Sequence, residues 1–244
     1  MPLRAHLREL RNRILLAAAG VAVGAVAGWI WYPWIFEQLQ RPLVAVADGG
    51  QLVAVNFAGV ATPLDMQLKV ALFAGVLLSS PWWIYQLWAY VTPGLTRTER
   101  RYTVGFVAAG VPLFLAGAAT AWWVVPAAVE ILVGLTPQDA VNVIDAQLYL
   151  GFLMRMVLAF GLAFLLPVLM VGLTSAGLVR GATWARGWRW AIVLTAVFGA
   201  VATPSGDAVS MFAVAVPMCV LYFAAVGICV LLDRRRRARE EGSP

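Results

Sequence analysis

Long apolar runs decide what this chain can fold into. They cover about residues 14–34, 64–90, 104–132, 148–174, 188–202 and 209–232, and a helix needs about 20 such residues to cross a hydrocarbon core. Hydrophobic residues make up 62% of the 244 and charged ones only 12%, against about a quarter charged in soluble domains. The pattern predicts an all-α integral membrane protein with six transmembrane helices. Residues 1–233 then form one six-helix domain, and 234–244 a basic, then acidic tail. The fifth run is short, about 15 residues or ~22 Å of helix, so it must thin the bilayer, stand upright or lie against protein.

Charge orients the spans. With six crossings both termini share a side with loops 91–103 and 175–187. That side carries Arg4, Arg8, Arg11 and Arg13, then Arg97, Arg100 and Arg101, then Arg180, Arg186 and Arg189, and the arginines of the tail. Of the 18 basic residues only Arg41, Lys69 and Arg155 fall elsewhere. By the positive-inside rule the basic side is the cytoplasm, which places both termini there. Trp29, Trp31, Trp34, Trp122, Trp123, Trp184, Trp188 and Trp190 fall near span ends, where indole rings anchor at the interface. Residues 1–13 read as a short interfacial helix, and the loop from about 35 to 62 reads as partly helical. The first apolar run is too long for a secretory h-region, so no cleavable leader is expected.

Several function classes lose support. His6 is the only histidine and has no cysteine near it to complete a metal site. Neither a phosphate-binding glycine loop nor a nucleophile elbow is present. Cys219 and Cys229 are ten residues apart on one expected helix, roughly 15 Å along its axis, too far to bridge. The reading is therefore no enzyme, no metal, no cofactor and, because the arginines flank apolar runs, no nucleic acid.

The stretch from Pro63 to Tyr102 organises the rest. Its apolar helix carries Lys69 near the start, Pro81 within it and an aromatic cluster at the end, and Pro93-Gly94 stops it. The following loop places Glu99 among Arg97, Arg100 and Arg101. Glu9 and Glu99 are the only acidic residues in the first two cytoplasmic segments. Carboxylates there suit capture of guanidinium groups through charge-assisted, often bidentate, hydrogen bonds. The plainer alternatives are an i, i+4 pair of Glu9 with Arg13, worth about 0.3 to 0.5 kcal/mol, and a solvated loop ion pair for Glu99.

Four segments together resemble the TatC family, the six-span subunit of the twin-arginine protein translocase. They are HLRELRNRI at 6–14, SSPWWIYQLWAYVTPGLTRTERR ending at 101, YLGFLMRMVLAFGLAFLLP at 149–167 and TPSGDAVSMF at 203–212. The resemblance implies a TatC-like concave bundle that acts as receptor for twin-arginine signal peptides of folded cargo. It further implies partners of the TatA and TatB single-span type, membrane lipids, a homo-oligomer within a larger complex, and export driven by the proton-motive force across a bacterial inner membrane. By resemblance Glu9 and Glu99 are the receptor carboxylates, with Arg11, Arg13, Arg100, Gln86 and Tyr90 around them. Pro42, Lys69, Pro81, Pro93, Arg155 and Asp207 read as structural or partner-contact positions. Among these, Lys69 has Asp65 one turn earlier, Arg155 is expected on a hydrated surface, and Asp207 is expected to cap the last helix.

Two positions depart from the family. Where many members carry a glutamate shortly before a proline in the fourth span, this chain has Leu165 before Pro167. Where relatives read LYE in the sixth span, it reads Leu221-Tyr222-Phe223. A divergent paralogue, an altered sequence, and a natural variant using Gln147 and Thr174 instead are all compatible with this. Two other functions stay open: a TatC-like protein that binds signal peptides but transports poorly, and a small-solute transporter with a midplane site at Lys69 and Arg155.

Overall fold

The computed structural model describes residues 3–48, 53–56, 59–91, 100–134, 142–175, 177, 179–202 and 208–241. The chain is almost wholly helical among these. In order it forms α1 (Leu3–Ile30), α2 (Tyr32–Asp48), β1 (Val53–Asn56), α3 (Thr62–Leu78), α4 (Ser80–Val91), α5 (Arg100–Gly134), β2 (Asn142–Asp145), α6 (Ala146–Ser175), α7 (Gly181–Arg186), α8 (Trp188–Ala202) and α9 (Ala208–Glu241).

Four helices are apolar and long enough to cross a membrane: His6–Ile30, Gly105–Val125, Ala146–Ser175 and Met211–Arg235. The second expected span is a broken pair, α3 and α4, bent by 63°. The fifth is the short apolar helix Trp188–Val201. These occupy the six apolar runs in order.

Several boundaries differ from the sequence reading, each for a local reason. The N-terminal segment is not a separate interfacial helix, because no glycine or proline interrupts α1 before Gly20. The first span ends at Ile30 rather than Trp34. The chain passes into α2 through Trp31, whose N–H bonds Ala27 O at 3.0 Å and whose carbonyl takes the Ile35 N–H at 3.1 Å. Pro33 follows at the second position of α2, in a first turn where a missing N–H costs nothing. Most of the expected 35–62 loop is that helix. Residues 234–241 are not a separate tail but continue α9.

The break in the second span sits at Ser79. Its backbone N–H bonds Gly75 O at 3.0 Å and its hydroxyl donates to the same oxygen at 2.7 Å. Pro81 then occupies the second position of α4, in a first turn that tolerates proline. Proline has no N–H and its ring clashes with the carbonyl four residues back, so α3 cannot run straight through.

Sequence reasoning did not foresee the two strands. They pair in parallel, Val53 with Asn142 through Asn56 with Asp145. Asp145 then caps α6, accepting the N–H groups of Gln147 at 2.8 Å and Leu148 at 3.0 Å.

Contacts divide the chain into two compact units. One comprises residues 1–95 and 121–155, the other 96–120 and 156–244. The long helices α5 and α6 change unit part-way along their length. In the first unit, α1 packs against α3 through glycine: a Cβ at Gly28 would stand 2.7 Å from Ala71 O, and one at Gly75 would stand 2.6 Å from Val21 O. In the second unit, Met170, Tyr222, Ala225 and Cys229 form a buried cluster with Trp184 against it. Gly181 of α7 is pressed onto the Cys229 backbone there.

Candidate functional site

The polar start of α1 lies along α4, the two helices running in opposite directions. Three hydrogen bonds fix the register: His6 with Tyr90, Arg13 with Gln86, and Trp82 with Leu16. Each step up α1 matches a step down α4, and the same register continues into α3, where Gly24 meets Gly75 and Gly28 meets Ala71. A helix repeats a face every three to four residues, so His6, Glu9 and Arg13 share the face turned to α4.

At the polar end, Tyr90 Oη and His6 Nε2 lie 2.8 Å apart and the two rings stack at 4.8 Å. One turn deeper, Arg13 Nη1 donates to Gln86 Oε1 at 2.9 Å. Arg13 Nη2 stands 3.6 Å from Glu9 Oε1, so the i, i+4 ion pair foreseen as the plainer role of Glu9 is present. Gln86 is only 2% exposed, while Glu9 and Arg13 are half-buried. Deeper still, Trp82 Nε1 donates to the Leu16 carbonyl at 2.8 Å, and its indole lies against Gly20. The arrangement presents a carboxylate beside a tethered guanidinium at the polar end of an apolar helix pair.

The family model for the Sec-independent protein translocase protein (TatC) matches residues 5–217. The chain belongs to the TatC family. Among curated relatives, the TatC protein of Xylanimonas cellulosilytica is 53% identical over 240 residues, covering 98% of this chain and 87% of that protein. That of Rothia mucilaginosa is 37% identical over 238 residues, covering 97% and 81%. A solved structure described as the crystal structure of twin arginine translocase receptor TatC matches with a TM-score of 0.83 at 28% identity, covering 93% of this chain and 98% of that one. As a TatC-family member the chain is a membrane-spanning subunit of a protein translocase, and TatC is not an enzyme. That assignment displaces the solute-transporter alternative.

The structure brings together only part of the expected TatC site. Glu9, Arg13, Gln86 and Tyr90 converge, whereas Arg11 is exposed and its one described bond goes to neighbouring Asn12. Glu99, Pro93 and Asp207 lie outside the described residues. Arg100 opens α5 and Pro42 lies in α2, and of each only the helical backbone is described. Lys69 finds the partner expected of it, Asp65, at 2.6 Å, and Asp65 also takes a hydrogen bond from Gln147. Arg155 is exposed and its Nε donates to Gly151 O at 3.0 Å.

The departures from the TatC pattern sit in contrasting places. Leu165 is 5% exposed and packed in the core, where a lone carboxylate would be costly. Phe223 is 47% exposed and stacks edge-on with Tyr222. Thr174 is buried and accepts Trp184 Nε1 at 3.2 Å, so it serves packing within the second unit.

Sequence reasoning missed His6 as a partner of Tyr90 and the glycine contacts of α1. Gly20, Gly24 and Gly28, spaced by four, were a legible signal for close helix packing in a membrane.

Proposed function

We propose that this TatC-family chain is the receptor for twin-arginine signal peptides, with Glu9 as a guanidinium-binding carboxylate. Charge-assisted hydrogen bonds from guanidinium to carboxylate are among the strongest polar contacts available at neutral pH. One observation carries the reading: Glu9 is half-buried at the end of the α1–α4 pair, in a loose 3.6 Å ion pair with Arg13 that leaves it short of a direct hydrogen bond. Glu99, by its resemblance to the family's pattern, is the second receptor carboxylate in this reading. The solved relative described as a twin arginine translocase receptor supports the same role.

The site faces the cytoplasm of a bacterial inner membrane, with six crossings and both termini inside, because the arginines gather on that side. Partners are single-span subunits of the TatA and TatB type, and transport draws on the proton-motive force. Arg155 and the exposed apolar faces of α8 and α9 are available to such partner helices.

A photoreactive residue at Leu10 or Asn12, beside Glu9, tests the receptor role. A peptide with paired arginines should crosslink strongly and its twin-lysine counterpart weakly. Equal labelling of the two would overturn the reading.

A further inference from the structure

Gln86 sits where an apolar side chain would be expected, 2% exposed among the packed residues of α4. Its Oε1 takes a hydrogen bond of ordinary length, 2.9 Å, from Arg13 Nη1. The other end of the same guanidinium stops 3.6 Å from Glu9 Oε1, beyond the ~2.7–2.9 Å of a charge-assisted hydrogen bond. Arg13 is therefore shared between two acceptors, hydrogen-bonded to Gln86 and only loosely ion-paired with Glu9.

That geometry matters because Arg13 carries the same group that an incoming twin-arginine peptide brings. Residues at i and i+4 on a helix are close enough for a guanidinium to close on a carboxylate. A competitor on the same helix would act at a high effective concentration. Left free, Arg13 would fill Glu9.

We propose that Gln86 is a positioning residue which keeps Arg13 from closing fully on Glu9, leaving the carboxylate's hydrogen-bonding capacity to the signal peptide's guanidinium. This rests on the receptor reading of Glu9. A carboxamide suits the role: it accepts the hydrogen bond while neutral, so it costs less to bury than a carboxylate and offers no rival anion. Arg13 is thus a built-in competitor whose access to the site Gln86 sets.

Full-length protein in nanodiscs, titrated with a fluorescent twin-arginine peptide and its twin-lysine form, tests the idea. The variants are Glu9→Gln, Gln86→Met, Arg13→Gln, and the last two combined. Gln86→Met removes the acceptor at similar volume and should weaken twin-arginine binding about fivefold or more. Adding Arg13→Gln should restore it to within about twofold of Arg13→Gln alone, since nothing is then left to fill Glu9.

A packing role for Gln86 would give no such rescue. Wild-type affinity in Gln86→Met, or equally weak binding in the double variant, overturns the proposal. If Gln86→Met does not fold, Gln86→Asn keeps the amide but withdraws it by one methylene, and carries the same expectation. Glu9→Gln separates the two levels. Unchanged binding there sinks the receptor reading itself, whereas lost binding there, with Gln86→Met not rescued by Arg13→Gln, sinks only the role given to Gln86.

Discussion

Gly24 of α1 lies so close to Gly75 of α3 that a Cβ at position 24 would stand 2.8 Å from the Gly75 carbonyl oxygen. Backbone atoms cannot swing aside, so Gly24→Ala should force the helices apart and cost about 1–3 kcal/mol. A Cβ at Gly227 of α9 would meet nothing within 4 Å beyond its own helix backbone among the described residues, and Gly227→Ala should be neutral or stabilise by up to about 1 kcal/mol. Thermal unfolding in detergent compares them. Equal effects would contradict the close α1–α3 packing.

Asp145 accepts two N–H groups at the start of α6. Asp145→Ala should cost about 0.5–2 kcal/mol and Asp145→Asn much less, since asparagine caps about as well. The same melts decide it, and similar losses for both would show that charge rather than capping matters there.

Asp65 serves two partners, Lys69 and Gln147, whereas among the described residues Lys69 pairs with Asp65 alone. The ion pair is partly exposed and by itself worth about 0–1 kcal/mol. Asp65→Ala should therefore destabilise more than Lys69→Met, because it also leaves the Gln147 amide without this acceptor. The reverse order would rule out Asp65 as the tie between α3 and α6.

In the second unit, Asp233 Oδ2 accepts the Gly181 N–H at 2.6 Å, fixing the first turn of α7 to α9. Asp233→Ala should cost about 1–3 kcal/mol. Amide exchange should then quicken in residues 181–186 and stay slow in mid-α6. Unchanged exchange in α7 would show that packing of Gly181 on Cys229, not the carboxylate, holds it.

The apolar helices were legible because burial in lipid demands long apolar runs, and the short helix Trp188–Ala202 kept its sequence-read limits. Pro81 marked the broken helix, though not that the break falls at Ser79. The strands were hidden, since Val53–Asn56 and Asn142–Asp145 are four residues each and pair across 85 or more positions of sequence. At the site, Glu9 and Arg13 were readable as a helical pair from spacing alone. Gln86 as the residue that restrains Arg13 was not, because the α1–α4 register is a tertiary contact, fixed by hydrogen bonds between residues 66 or more positions apart. His6, read only as an unfit metal ligand, was a partner for Tyr90 for the same reason.

The most direct test is the affinity of a twin-arginine signal peptide for wild type and for Glu9→Gln, both in nanodiscs and both matched for melting temperature. Loss of one charge-assisted contact, about 1.5–3 kcal/mol, predicts binding weaker by roughly tenfold to a hundredfold, with the preference over a twin-lysine peptide largely gone. Undiminished affinity and preference in Glu9→Gln would contradict Glu9 as the carboxylate that receives the signal.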